Sequence, residues 1–166
     1  RGFPSIDGTP CDPVLELQDL DTELTLADLG PVEKRLERLK KEKPQPGEIE
    51  LLTRLQAHLE SGRPLRELGL SDPEQQRISG YRFLTQKPLL VILNVPESGL
   101  NAPLPPPVQS FLDSRTLACI VMAGPIEMEI AALAPEEQNA FAQDLGLSEP
   151  AAGRFIQAAY KSLDLD

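Results

Sequence analysis

Through the first half of the chain, apolar positions recur at helical spacing. Asp12-Pro13 reads as a helix start, since Asp can cap and Pro is tolerated in a first turn. Val14, Leu17, Leu20, Leu24 and Leu26 follow, until Gly30-Pro31 is expected to end the run. A second helix is predicted from Pro31 to Lys43 on the seam Val32, Leu36 and Leu39. A third is predicted from Glu48 to Glu60 on Ile49, Leu52, Leu55 and Leu59. Pro44-Gln45-Pro46-Gly47 between them cannot continue a helix, and Ser61-Gly62 supplies a stop. Two helices of similar length joined by a tight turn, each with one narrow seam, predict an antiparallel hairpin of coiled-coil type. Such seams are too short to be stable alone in water, so the hairpin must be rooted in a larger body.

After Gly69 the pattern changes. Ser71-Asp72-Pro73-Glu74 is a capping box opening a short helix to Tyr81. Leu89–Leu93 is an uninterrupted apolar run, as expected of a strand buried on both faces of a parallel sheet. Asn94-Val95-Pro96-Glu97 ends it. A proline-rich loop, a short helix at 108–114 and a second apolar strand at Leu117–Met122 follow, closed by Ala123-Gly124-Pro125. Strand, helix, strand is a βαβ unit with a right-handed crossover, so the fold class is α/β. Pro135–Asp144 and Pro150–Leu163 read as two amphipathic helices with Phe141, Leu145, Phe155, Ile156 and Tyr160 facing inward.

Composition narrows the function classes. The 166 residues are 40% apolar and 25% charged, enough for a buried core. A net charge of −10 disfavours non-specific nucleic-acid binding by the molecule as a whole, so DNA is not an expected partner. No apolar run approaches the roughly 20 residues that span a bilayer, so no membrane is expected either. The opening Arg1-Gly2-Phe3-Pro4, without initiator Met or signal segment, reads as a fragment of a longer product. Cys11 and Cys119 could form a disulfide, but two free thiols in a cytosolic protein are the preferred reading, with Cys119 packed as a small hydrophobe.

The charge is unevenly spread. Residues 31–66 hold nine Lys and Arg against six Glu, whereas residues 1–30 hold one against seven acidic groups. Glu16, Asp19, Asp21, Glu23 and Asp28 are expected to form a solvated face. Lys34, Arg35, Arg38, Lys40, Lys41 and Lys43 cluster near the hairpin tip, interleaved with Glu33, Glu37 and Glu42. They are either an ordinary salt-bridged helix surface or a basic prong suited to a polyanion such as ribosomal RNA. His58, the only histidine, has no evident catalytic partner. Glu127 and Glu129, two apart, would lie on different helix faces and do not suggest a carboxylate pair.

In parallel α/β sheets ligands bind beyond the carboxyl ends of the strands, here Asn94–Glu97 and Ala123–Pro125. The order of parts resembles the YchF family of P-loop NTPases, relatives of the Obg GTPases that prefer ATP. The resemblance rests on Asp12-Pro13-Val14, on Asp21-Thr22-Glu23-Leu24-Thr25-Leu26-Ala27-Asp28-Leu29 and on Val32-Glu33-Lys34-Arg35-Leu36-Glu37-Arg38-Leu39. It continues through Leu84-Thr85-Gln86-Lys87-Pro88, Asn94 and Ala158-Ala159-Tyr160. It is collinear over nearly the whole chain and weakest at residues 1–11 and in the proline-rich loop.

The resemblance implies the second half of a P-loop NTPase parallel sheet with an inserted coiled-coil arm. Residues 1–30 would be a nucleotide-domain segment with an acidic helix, 31–66 the arm, and 67–166 the remainder of the nucleotide domain. Family members add a P-loop before this region and a TGS domain after it. No G-x-x-x-x-G-K-[ST] and no Asp-x-x-Gly occurs here. With neither a phosphate nest nor a magnesium ligand, the chain by itself is expected to hydrolyse nothing. ATP or GTP with Mg would be cofactors of the parent protein and none is expected to bind this piece tightly.

Base recognition is the part that remains. The family's Asn-x-x-Glu matches Asn94 and Glu97, with Val95 flanking the base, while Ala123 and Gly124 stand where the family has Ser-Ala-Lys. Asn94 could alternatively do no more than cap the strand end. Glu97 is one methylene longer than the Asp of GTPases and misses the guanine edge, which favours adenine. The implied function is the partial, ATP-preferring nucleotide-binding domain of a cytoplasmic, ribosome-associated hydrolase. The alternative is a non-catalytic module whose basic hairpin contacts RNA or a protein.

Overall fold

Asp12 Oδ1 accepts the Val14 backbone N–H at 3.0 Å and so caps the first helix, α1, Pro13–Leu39. The structure is a computed structural model that describes residues 12–163. It divides into two compact units, one of Leu15–Pro88 and one built on the residues from Leu89 onward.

In the first unit, α1 is a single helix of 27 residues with Pro31 inside it, where sequence reasoning expects two helices. An interior proline costs about 3 kcal/mol. Val32 and Leu39, both buried beyond it, offset that at roughly 1.5–3 kcal/mol each. The buried face also differs from the expected one. Asp21, Thr25 and Asp28 are buried in line with Val32 and Leu39, while Leu15, Leu20 and Leu26 are exposed. The acidic residues are therefore not one solvated face, and the reason is hydrogen bonding. Asp28 Oδ1 accepts the Leu84 N–H at 2.8 Å, and its Oδ2 accepts both the N–H and the hydroxyl of Thr85 at 2.7 Å. Thr85 Oγ1 in turn accepts the Leu65 N–H at 3.1 Å. Arg66 donates its N–H to the Thr85 carbonyl and its Nη2 to Asp21 Oδ1 at 3.2 Å. One carboxylate and one hydroxyl thus satisfy donors that burial would otherwise orphan.

Helix α2, Glu48–Glu60, turns back from α1 after the 40–47 connection. Leu51, Leu52, Leu55 and Leu59 pack with Val32, Leu39, Leu65, Ile78 and Phe83 in one core. Gly47 has φ 76°, a left-handed value that favours glycine, and Arg77 Nη1 donates to the Pro46 carbonyl beside it. Helix α3, Asp72–Ile78, carries the expected capping box, with Ser71 N–H and Oγ both donating to Glu74. His58 Nε2 lies 3.1 Å from the Pro64 carbonyl and donates to it, a structural role.

In the second unit, β1, Leu90–Asn94, pairs in parallel with β2, Ala118–Met122, so that Leu90 faces Ala118 and Asn94 faces Met122. Helix α4, Pro106–Arg115, makes the crossover. Helices α5, Gly124–Ala132, α6, Pro135–Asp144, and α7, Ala151–Ser162, complete the unit. Ala123, Ile126, Ile130, Ala142 and Leu147 form its core, with Phe141 and Leu145 packed against them. β1 is not buried on both faces, since Ile92 is exposed. Phe155, Ile156 and Tyr160 are exposed as well, against expectation. α7 packs on β2 and β1. Its less exposed stripe is Ala151, Arg154, Ala158 and Ser162, small and polar residues at helical spacing. Cys119 carries a free thiol, which burial pushes above its ordinary pKa; Cys11 lies outside the described residues.

Candidate functional site: the strand ends and the basic hairpin

Parallel pairing sets the two strand ends side by side. Val95 N–H donates to the Met122 carbonyl at 2.8 Å, which extends the pairing one residue beyond the strands. Gly124 N–H then donates to Asn94 Oδ1 at 3.0 Å. This bond holds the carboxamide at the strand end, where Asn94 is exposed and its Nδ2 carries two further donors. Val95 is half-buried beside it, and Glu97 opens a short 3-10 turn, Glu97–Gly99, with an exposed carboxylate. The turn must be tight: a Cβ at position 99 would stand 3.1 Å from the Val95 Cβ. Ala123 is buried in the core, and Gly124 begins α5. Asn94, Val95, Ala123 and Gly124 are therefore neighbours, brought together by the register of two strands, while Glu97 lies in the turn that follows.

Two residues at this place carry contacts that sequence reasoning misses. Glu127, in the first turn of α5, accepts the Ala151 N–H through Oε2 at 2.8 Å. Arg154 Nη1 donates to the Val121 carbonyl at 2.9 Å, and its Nη2 lies 3.6 Å from Glu127 Oε1. The usable signal was an arginine on the Ala-rich stripe of the last helix, a place where a charged group needs a partner. Glu129 is exposed and apart from this contact.

Asn94 offers a held amide, and Val95 an apolar flank. No phosphate-binding glycine-lysine loop occurs in the sequence. No cluster of three His, Cys, Asp or Glu suited to a metal occurs among the described residues.

The hairpin carries the basic cluster. Lys34, Arg38, Lys40, Lys41 and Lys43 are exposed. Arg35 is engaged: its Nε donates to Glu48 Oε1 at 2.8 Å and its Nη1 to Glu42 Oε2 at 2.7 Å. Glu48 also accepts the Gln45 N–H at 3.0 Å, and this bond, then Arg35, holds its carboxyl below the usual range. Arg35 thus secures the turn that carries Lys40, Lys41 and Lys43, while Lys34 and Arg38 lie on the last turns of α1. Beside them, Leu36, Leu39 and Ile49 floor an open groove rimmed by Glu33, Glu37 and Lys40. No helix among the described residues is long and apolar enough to cross a membrane.

No family model matches the chain. Among curated proteins it is 36% identical over 160 residues to the "Ribosome-binding ATPase YchF" of Pasteurella multocida, covering 93% of this chain and 44% of that protein. It is 31% identical over 163 residues to the protein of the same name from Bacillus subtilis, again covering 93% and 44%. The chain therefore spans less than half the length of the curated relatives it matches. Among solved structures, the Schizosaccharomyces pombe YchF GTPase superposes with a TM-score of 0.82 at 23% identity, over 96% of this chain and 45% of that one, a shared fold.

Proposed function

Because the chain belongs to the YchF family, we propose that it supplies the base-reading half and the ribosome-directed arm of an adenine-preferring, ribosome-associated NTPase acting in the cytoplasm. Residues 67–166 carry the base contacts and residues 31–66 the arm. The observation that carries the base reading is the Gly124 N–H bond to Asn94 Oδ1. With its oxygen engaged there, Asn94 turns its amide donors toward a purine ring nitrogen. Glu97 replaces the shorter Asp that grips two guanine donors, and Pro96 stiffens the loop against adjustment. Adenine is favoured because the carboxylate overshoots the guanine edge. This sequence carries no phosphate-binding loop or magnesium-binding motif, so the chain by itself is expected not to catalyse hydrolysis.

Calorimetry on this chain is expected to give millimolar binding of Mg-ATP, about −4 kcal/mol, and micromolar binding near −8 kcal/mol would refute the reading. Glu97→Asp should move purine selectivity toward guanine, a good bidentate pair being worth about 1–3 kcal/mol of discrimination. Adenosine and guanosine titrations followed by NMR measure it; an unchanged ratio would sink the role given to Glu97. The arm, with five exposed cations on an acidic protein, is read as a polyanion contact and is tested by charge reversal.

A further inference from the structure

We infer that Arg154 and Glu127 form a latch that positions the Gly124 loop for the base, an inference that rests on the base-site reading above. The loop is short, and its two ends are held by the same pair of side chains. On the strand side, Arg154 Nη1 donates to the carbonyl of Val121, one residue before the Met122 carbonyl that receives Val95 N–H. On the helix side, Glu127 sits three residues after Gly124, and its Oε1 faces Arg154 Nη2 at 3.6 Å. Glu127 Oε2 also takes the Ala151 N–H, an end group of α7 with no acceptor inside its own helix. The side chains are 14% and 22% exposed, so the pair is shielded and each charge depends on the other.

Arg154 is a positioning residue. Its hydrogen bond and ion pair reach neither Asn94 nor Gly124, yet it connects the backbone before the loop to the carboxylate after it. The consequence falls on the one bond that orients the base-reading amide, Gly124 N–H to Asn94 Oδ1. A free loop would let that amide rotate, and a rotated carboxamide presents an acceptor where a purine ring nitrogen needs a donor. The 3.6 Å separation is longer than a hydrogen bond, so the pair acts by charge while the two backbone bonds fix geometry.

The test uses Arg154→Met, which keeps the stem and removes the charge and donors. Two quantities are read by NMR on the whole chain: exchange of the Gly124 amide and affinity for adenosine. Gly124 exchange is expected to quicken at least tenfold and adenosine affinity to fall at least fivefold, with the α4 amide of Leu112 unchanged. Glu127→Gln, which retains an acceptor for Ala151 N–H, should move both in the same direction by less. Equal acceleration at Gly124 and Leu112 would make the pair a general stabiliser and overturn the inference, as would no change at either. If the unaltered chain binds no adenosine, the base-site reading falls, while Gly124 exchange still decides whether the latch exists.

Discussion

Exchanging Asp28 for alanine is expected to lower the stability of the Leu15–Pro88 unit by about 3–5 kcal/mol, the scale of losing three hydrogen bonds to one charged acceptor. Asp28 is 3% exposed and its carboxylate accepts three hydrogen bonds, two of them from backbone N–H groups. Each orphaned buried donor costs about 1–3 kcal/mol, and the three are coupled, so their sum is an upper bound. Against a typical domain stability of about 5–15 kcal/mol this is a large fraction. Urea unfolding followed by circular dichroism measures it. Asp19→Ala, on the exposed side of the same helix, should stay within about 0.5 kcal/mol. Asp28→Asn keeps one carbonyl acceptor and should fall between. A loss below about 1 kcal/mol for Asp28→Ala would mean that water replaces the carboxylate and that the clasp contributes little.

The second large effect concerns the arm. Reversing Lys34, Arg38, Lys40, Lys41 and Lys43 to Glu, with Arg35 retained to hold the turn, is expected to weaken ribosome association at least a hundredfold at low salt. If each cation neutralises one phosphate, the logarithm of affinity falls with that of salt at a slope of about −4. The unaltered chain should then lose about two decades of affinity between 50 and 200 mM salt, and the reversed variant far less. Cosedimentation across a salt series reads both quantities. Equal association of the two proteins would leave the cluster as a solvated helix surface, its charges answered by Glu33, Glu37 and Glu42.

How much of this was legible in the sequence depended on the range of the interactions. α2 begins and ends where the turn residues and the stop place it, and the Ser71–Glu74 box is visible because its partners lie three positions apart. The strand–helix–strand order was legible too, and with it the adjacency of Asn94 and Gly124, since a parallel pair must align its carboxyl ends. Continuity of α1 through Pro31 was not, because Val32 and Leu39 are held by a core assembled from α2 and later segments. Asp28 reads as one more solvated carboxylate until Thr85 is beside it, 57 positions away. Periodicity failed on α7 for another reason: it finds the large apolar residues, whereas close packing on the strands selected Ala151 and Ala158. Arg154 went unseen with them.

The β1–β2 pairing also bears on the order in which the protein assembles. Leu90 meets Ala118 only after the whole proline-rich connection and α4 have been gathered in, and the entropy of that closure is lost before any strand bond repays it. α1 and α2 ask less, because their backbone bonds are local and the turn at Gly47 already brings Arg35 to Glu48. The hairpin that carries the exposed cations is therefore expected to form before the pairing that brings Asn94 to Gly124. Pulsed amide labelling during refolding would show it as protection of 48–60 ahead of 90–94, and the reverse order would contradict it.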